Sequence, residues 1–238
     1  VEREFIREQK DNDIDGFIIY PAPGHETENM LKKECGNKPY LLIADSLAVK
    51  EGETASPTIQ PDHREIGRRL GEQLKTKKQK IGIIADWKMS EAVQAEISGL
   101  TEALEGSGSE ISWCIYRRKE QNITERMKEE TKADALVILD PGVLEEFGEQ
   151  AEHGKYKGAE LYGVGYNLKT VALLDKGNIQ GLVVPDGYEI GYKSVKEIAG
   201  KIEHKFYKMK GYTTEYQIFS KKDFSMDDDL ERFLYSYE

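Results

Sequence analysis

The stretch LYGVGYNLKTVALLDKGNIQGLVVPDGYEIGYKSV, residues 161–195, decides the fold class. Two apolar segments, at 161–166 and 179–184, have the composition of buried strands, and a short helical pattern with a Gly-Asn turn separates them. A second helical pattern follows the break at Pro185, Asp186 and Gly187. The order strand, helix, strand, helix predicts a parallel sheet with helical crossovers.

The same stretch carries a site signal. Asn167 and Asp186 each come just after the end of a predicted strand. In open α/β sheets, ligands bind outside the carboxyl ends of the strands. The sequence therefore predicts a binding site at this edge of the sheet.

Two blocks of sequence carry a family resemblance. The motifs G-V-G-Y-N at 163–167 and I-Q-G-L-V-V-P-D-G-Y-E-I-G-Y at 179–192 resemble the last third of type I periplasmic binding proteins. This is the ribose- and galactose-binding class, which is related to the effector domains of LacI-type repressors. The block from Asp15 to Asp45 is similar to the second half of the N-terminal lobe of these proteins, whose first strand would precede Val1.

The resemblance implies an α/β fold with two Rossmann-like lobes, each a parallel sheet with helices on both faces, and an incomplete N-terminal lobe. It places residues 1–61 and 186–205 in the N-terminal lobe, and residues 62–185 and 206–238 in the C-terminal lobe. Strands are predicted at FIIY, PYLLIAD, KIGIIAD, EISWCIY and ADALVILDP, and TTEYQIFS at 213–220 reads as one edge strand. Residues 50–61 read as a loop, and residues 122–132 and 143–153 read as helices.

Composition excludes some functions. The 238 residues carry a formal net charge of −10, which argues against nucleic-acid binding by this chain. No apolar run approaches the roughly 18 residues of a membrane span. The opening Val1-Glu2-Arg3-Glu4 lacks the pattern of a signal peptide. Cys35 and Cys114 read as isolated buried thiols rather than as a disulfide.

Six residues at or just after predicted strand ends are candidate ligand contacts. Carboxylates accept hydroxyl hydrogen bonds, amides donate and accept, and aromatic faces cover the apolar face of a sugar ring. The alternative is that strand-end Asp and Asn only cap the following helices. In the family, residues at these positions line the cleft between the lobes, and the candidates by that resemblance are Tyr20, Asp45, Trp87, Asp140, Asn167 and Asp186.

The chain departs from the family pattern at several positions, including Asn167, Pro185, Ser46 and Glu96. Asn167 stands where many sugar binders have Asp, and Pro185 stands where Gln or Asn is common. The resemblance therefore leaves the identity of the ligand open.

The sequence offers no catalytic, metal or cofactor site. Gly163-Val164-Gly165 lacks the third glycine of a dinucleotide fingerprint, and the chain has no Walker loop and no G-x-S-x-G elbow. Its four histidines are scattered, without an H-x-x-x-H or Cys/His cluster. These observations predict a binding protein rather than an enzyme, without catalytic residues, metal ligands or cofactors.

The resemblance implies a solute-binding protein for a carbohydrate or sugar-like small molecule. Its implied partners are an ABC permease or a membrane sensor, and its implied location is extracytoplasmic, either periplasmic or lipid-anchored at the cell surface. The alternative is the effector-binding domain of a LacI-type transcriptional regulator in the cytoplasm. An enzyme on a doubly wound sheet and a pair of lobes that binds protein are further alternatives.

Overall fold

The computed structural model of the chain describes residues 2–9, 12–22, 28–47, 49, 54–86, 90–117 and 122–221. Helices and strands alternate along most of these segments. The strands form two mainly parallel sheets, and the helices pack against them. The predicted α/β fold class is therefore confirmed.

The eight helices of the described segments are α1 Glu2–Gln9, α2 Glu28–Cys35, α3 His63–Leu74, α4 Glu91–Leu104, α5 Ile123–Met127, α6 Pro141–Glu149, α7 Leu168–Asp175 and α8 Gly187–Glu203. The strands of the same segments are β1 Phe17–Ile19, β2 Tyr40–Ile43, β3 Thr58–Pro61, β4 Lys80–Ala85, β5 Glu110–Tyr116, β6 Ala135–Ile138, β7 Glu160–Val164, β8 Gly181–Pro185, β9 Tyr212–Thr214 and β10 Tyr216–Ser220.

The chain divides into two compact units. The first unit comprises the described residues of Val1–Asp62, Met89–Ala92 and Gly187–Glu215. The second unit comprises those of His63–Lys88, Val93–Asp186 and Tyr216–Glu238.

The first unit is a four-stranded parallel sheet in the order β1-β2-β3-β9. Side chains alternate along β1, so Phe17 and Ile19 are buried on one face while Ile18 points to the other. On the first face they pack with residues of α1 and α2, namely Ile6, Leu31 and Cys35. On the other face, α8 contributes Ile190 and Ile198, which pack on Leu41 and Ile59.

The second unit is a six-stranded sheet in the order β10-β8-β7-β6-β4-β5. All neighbours are parallel except β10, which pairs antiparallel with β8. Apolar clusters cover both faces of this sheet. Every residue of β6 and β8 is buried. This burial explains why these strands read as continuous apolar runs rather than as alternating patterns.

The segment from Tyr212 to Ser220 does not form the single edge strand that its alternation predicts. Tyr212–Thr214 pairs in parallel with β3 in the first sheet, and Tyr216–Ser220 pairs antiparallel with β8 in the second. Residues 206–215 therefore lie in the first unit, which corrects their assignment to the C-terminal lobe. Alternation indicates a strand, but it does not identify the strand's partner.

Three local predictions were also wrong. Residues 58–61, expected in a loop, form β3, whose partners β2 and β9 are distant in sequence. The helix expected at 122–132 is only Ile123–Met127. The helix expected at 143–153 ends at Glu149, and the positive φ angles of His153 (51°) and Gly154 (76°) are incompatible with its continuation.

Candidate functional site

Polar side chains collect at the carboxyl edge of the second sheet. The strands β5, β4, β6 and β7 are parallel neighbours, so their carboxyl ends lie along one edge. Arg117 follows β5, Asp86 follows β4, Asp140 follows β6 by two residues, and Asn167 follows β7 by three. The structure thus brings the predicted Asp140 and Asn167 to the same edge.

Asp140 is buried, with an exposed fraction of 3%, and it caps α6. Its Oδ1 accepts hydrogen bonds from the backbone N–H groups of Gly142 (3.0 Å) and Val143 (3.1 Å). The other oxygen, Oδ2, lies 2.7 Å from Nη1 of Arg117. This contact is an ion pair without the alignment of a hydrogen bond. The carboxylate therefore stabilises a helix start and also holds a cation.

Arg117 links two carboxylates at this edge. Its Nη1 also lies 3.9 Å from Oδ1 of Asp86, and the guanidinium-bearing side chain is 48% exposed. Burial raises the pKa of Asp86, the negative charge of Asp140 raises it further, and the positive charge of Arg117 opposes both. These three groups form a partly buried charged cluster, which we call the edge cluster.

We expect the substitution Arg117→Leu to lower the free energy of unfolding by about 2 kcal/mol, because it leaves the buried Asp140 Oδ2 without its cation. The same change removes the charge that lowers the pKa of Asp86, so this pKa should rise further. Urea denaturation measures the first effect, and an NMR titration of the Asp86 carboxyl carbon measures the second.

The matched control is Arg64→Leu. Arg64 pairs with Glu102 in the same unit, but both side chains are exposed, at 61% and 44%. Surface ion pairs contribute at most about 1 kcal/mol, so this variant should cost less than Arg117→Leu and leave the Asp86 titration unchanged. Equal losses in the two variants would contradict a specific role for the edge cluster.

Asn167 caps α7 and joins a second set of charges. Its Oδ1 accepts a hydrogen bond from the backbone N–H of Thr170 at 2.9 Å, and its Nδ2 donates to Glu145 Oε2 at 2.9 Å. Lys169 Nζ lies 2.6 Å from Glu145 Oε1. Hydrogen bonds from Lys169 and Asn167 lower the pKa of Glu145. The exposed Asn167 amide therefore belongs to a network of opposite charges.

Asp45, in the first unit, is 2% exposed and accepts three hydrogen bonds. Its Oδ1 accepts from the backbone N–H groups of Ser46 (2.8 Å) and Ala92 (2.9 Å), and its Oδ2 accepts from Ser90 Oγ at 2.7 Å. Ser90 and Ala92 belong to the same unit and flank the first residue of α4. The carboxylate is thus placed to satisfy a helix start.

Two of the remaining three candidates, Tyr20 and Asp186, lie within the described residues. Tyr20 follows β1 in the first unit and is 58% exposed. Asp186 directly follows β8 in the second unit and is half-buried. Trp87 lies outside the described residues.

Helix capping explains the positions of Asp140 and Asn167, and hydrogen bonding to the start of α4 explains that of Asp45. Ligand contact by any of the six residues stays a prediction. Sequence reasoning overlooked the edge cluster partners Arg117 and Asp86. The available signal was their position, since each is the first residue after a strand of the same parallel sheet.

The described segments lack two further features. No group of three or more His, Cys, Asp or Glu side chains there is arranged to hold a metal ion. No helix in these segments is both long and apolar enough to cross a membrane.

A sequence model of the periplasmic binding protein domain family matches residues 3–205 of the chain. No curated protein sequence compared with the chain is a match.

Solved structures with a similar fold include three proteins of low sequence identity. GanP, a glucose-galactose binding protein from Geobacillus stearothermophilus, is 19% identical with a TM-score of 0.75, covering 94% of this chain and 82% of GanP. A carbohydrate transporter solute binding protein from Agrobacterium radiobacter, in complex with D-arabinose, is 17% identical with a TM-score of 0.80, covering 98% and 83%. The Cra transcriptional dual regulator from Pseudomonas putida, in complex with fructose 1-phosphate, is 17% identical with a TM-score of 0.73, covering 92% and 81%.

Proposed function

Because the chain belongs to the periplasmic binding protein domain family, we propose that it is a solute-binding protein for a sugar or a sugar-like small molecule. GanP and the Agrobacterium protein, which share its fold, are described as sugar-binding or carbohydrate-transport proteins. The proposal requires recognition of hydroxyl groups and no covalent chemistry.

The observation that carries the proposal is the row of polar groups at the carboxyl edge of the second sheet. Arg117, Asp140 and Asn167 bring a guanidinium, a carboxylate and an amide to the ends of β5, β6 and β7, at one edge of the sheet. Such groups donate and accept in the combinations that adjacent sugar hydroxyls require. Part of each group is engaged within the protein, so a ligand would use the remaining donors and acceptors.

In this proposal the protein acts by a conformational equilibrium. Tyr20 and Asp45 are further proposed ligand contacts, and the ligand would select the conformation that it binds most tightly. A ligand can shift such an equilibrium only by as much as it binds one form more tightly than the other. We further propose that the bound form is presented outside the cytoplasm to an ABC permease or a membrane sensor.

The resemblance to Cra supports a second candidate, the effector-binding domain of a LacI-type regulator. The two candidates differ in ligand, because the Cra structure contains a phosphorylated sugar. A phosphate group carries negative charge and favours cationic side chains such as Arg117. A preference for sugar phosphates over free sugars would therefore favour the regulator.

The test is a thermal-shift screen against pentoses, hexoses, polyols, nucleosides and sugar phosphates. A ligand present at 100 times its dissociation constant stabilises the folded state by about 2.7 kcal/mol. We expect one class of sugar to raise the melting temperature and the other classes to leave it unchanged. No shift with any class, up to 10 mM ligand (roughly 100 times a 0.1 mM dissociation constant), would contradict the proposal.

Variants must separate ligand contact from helix capping. Asn167→Ala removes a cap and should itself cost about 1 kcal/mol, so the ligand shift must be measured from each variant's own melting temperature. Asn167→Asp keeps the capping oxygen and replaces the amide NH2 group, which donates to Glu145, by a carboxylate oxygen. We expect both variants to reduce the ligand shift, whereas Asp175→Ala, at the exposed end of α7, should retain it. Full shifts in both Asn167 variants would remove this residue from the site.

A further inference from the structure

A cavity opens in the second unit, beside α5 and the start of β6. It has a volume of about 260 Å³. Its apolar lining includes Met127, Ala133, Leu136 and Ala159. Ala133 and Leu136 lie at the start of β6, whereas the edge cluster follows the carboxyl ends of the strands. We call this cavity the α5 pocket.

Two buried aromatic side chains, Trp113 and Tyr156, line the α5 pocket, with exposed fractions of 8% and 3%. Trp113 Nε1 donates a hydrogen bond to the carbonyl oxygen of Thr131 at 2.8 Å. Its ring lies across Gly82, where a Cβ atom would come within 2.2 Å of the indole. The indole is therefore held at its polar end and occupies space that a glycine leaves open.

Tyr156 is held in a similar way. Its ring stacks on Phe147 with 4.0 Å between centroids, and its hydroxyl lies 3.3 Å from Thr124 Oγ1. The polar ends of both aromatic residues are thus engaged within the protein. What they add to the pocket wall is apolar ring surface in fixed positions.

Cations outnumber carboxylates around the α5 pocket. Lys128, Lys132 and Lys157 line it, with Glu130 as the carboxylate among the lining residues. Lys128 pairs with Glu125. Within the described part of the chain, neither Lys132 nor Lys157 forms an ion pair, although Lys157 Nζ lies 5.2 Å from the centroid of the Tyr156 ring. This local excess of positive charge stands in a chain whose formal net charge is −10.

We propose that the α5 pocket is a second binding site, for a small aromatic carboxylic acid whose ring enters between the apolar walls while its carboxylate meets Lys132 and Lys157. An apolar cavity of about 150 Å³ accommodates benzene, and pockets for drug-sized ligands begin near 300 Å³. The volume of about 260 Å³ lies between them and fits one ring with a short acidic chain. This site is independent of the proposed sugar site.

The test uses 4-phenylbutyrate as the probe and its neutral amide, 4-phenylbutyramide, as the comparison. The chain has two tryptophans, so Trp87→Phe leaves Trp113 as the single indole reporter. We expect saturable changes in Trp113 fluorescence, with a dissociation constant of the order of 1 mM for a ligand of this size. NMR shifts should be largest at Ala133, Thr124 and Ala159, which line the pocket.

Charge substitutions test the role of the carboxylate. The amide should bind about fivefold more weakly than the acid, equivalent to about 1 kcal/mol at a partly exposed site. The double variant Lys132→Met/Lys157→Met should bind the acid about fivefold more weakly than the parent chain does, and its affinity for the amide should be unchanged. Lys176→Met removes an exposed lysine at the end of α7 and should change neither affinity.

Three results would overturn the proposal. The first is no fluorescence or NMR change up to 10 mM probe, roughly ten times the expected dissociation constant. The second is a set of NMR shifts centred on the edge cluster instead of the α5 pocket. The third is equal affinity for acid and amide. The circular dichroism spectrum of the double variant shows whether it is folded, and the amide titration reports an intact pocket without its charges.

Discussion

Gly99→Ala is expected to lower the free energy of unfolding by about 3 kcal/mol, because the helix α4 has no room for a methyl group at this position. A Cβ atom at Gly99 would lie 1.9 Å from the carbonyl oxygen of Arg64 and 2.9 Å from the backbone nitrogen of Arg68. Both atoms belong to the backbone of α3, so no side-chain rotation relieves the clash. Overpacking of this kind typically costs 1–3 kcal/mol, and rigid backbone neighbours put this site at about the upper end.

The contact between α3 and α4 is reciprocal. A Cβ atom at Gly67 of α3 would lie 1.8 Å from the carbonyl oxygen of Glu96 in α4. One turn further along α3, a Cβ at Gly71 would lie 2.6 Å from the Cβ of Ala103. The two helices thus meet backbone to backbone over two turns, and Gly67→Ala should be as damaging as Gly99→Ala.

Gly191→Ala is the matched control. Gly191 lies within α8, and a Cβ atom there would meet no other atom within 4 Å. Alanine favours the helix over glycine by about 1 kcal/mol, so this variant should be more stable than the parent chain. Urea denaturation of the three variants decides the matter. A Gly99→Ala variant as stable as the parent chain would contradict the backbone contact between α3 and α4.

Glu197→Ala is expected to lower the free energy of unfolding by about 3 kcal/mol. The buried carboxylate of Glu197 in α8 binds the segment that follows this helix, from Tyr207 to Tyr212. Glu197 is 2% exposed. Its Oε1 accepts hydrogen bonds from the hydroxyls of Tyr207 and Tyr212, both at 2.9 Å, and its Oε2 accepts from the backbone N–H of Lys210 at 2.8 Å. Hydrogen bonds to a charged group contribute about 1.5–3 kcal/mol each, and they are not additive here because they share one acceptor group.

This carboxylate also predicts a pH dependence. Burial raises the pKa of Glu197, but the hydrogen bonds from Lys210, Tyr212 and Tyr207 together outweigh burial, so the pKa is lowered overall. A lowered pKa in the folded state means that the stabilisation is present above the ordinary glutamate pKa of about 4.3. It is lost as the pH falls through the lower folded-state pKa.

Stability measured from pH 7 to pH 2 checks both parts of this prediction. Glu197→Gln should be less stable than the parent at pH 7, and the gap should narrow below about pH 4. Glu203→Gln, an exposed change at the end of the same helix, should follow the parent curve. A gap between Glu197→Gln and the parent that stays constant down to pH 2 would show that the carboxylate's charge is not what stabilises the connection.

Part of the candidate site was predictable from sequence. Asp140 and Asn167 stand after apolar runs, and parallel strands end at a common edge, so their placement together followed from the pattern alone. The pairing of Arg117 with Asp140 did not follow. Arg117 follows β5 and Asp140 follows β6, and β4 lies between these strands in the sheet. Strand order is set by tertiary packing, and no local pattern encodes it.

The sequence by itself determined the α/β class and most of the strands, because strands buried on both faces require continuous apolar runs. The tertiary structure alone decided how Tyr212–Ser220 divides between two sheets and which partners Asp45 takes, since Ser90 lies 45 residues further along the chain. It also decided that α3 and α4 touch through their glycines. The local periodicity of apolar residues indicates which residues are buried. The pairing of strands and side chains depends on residues that are distant in sequence and meet only in the folded protein.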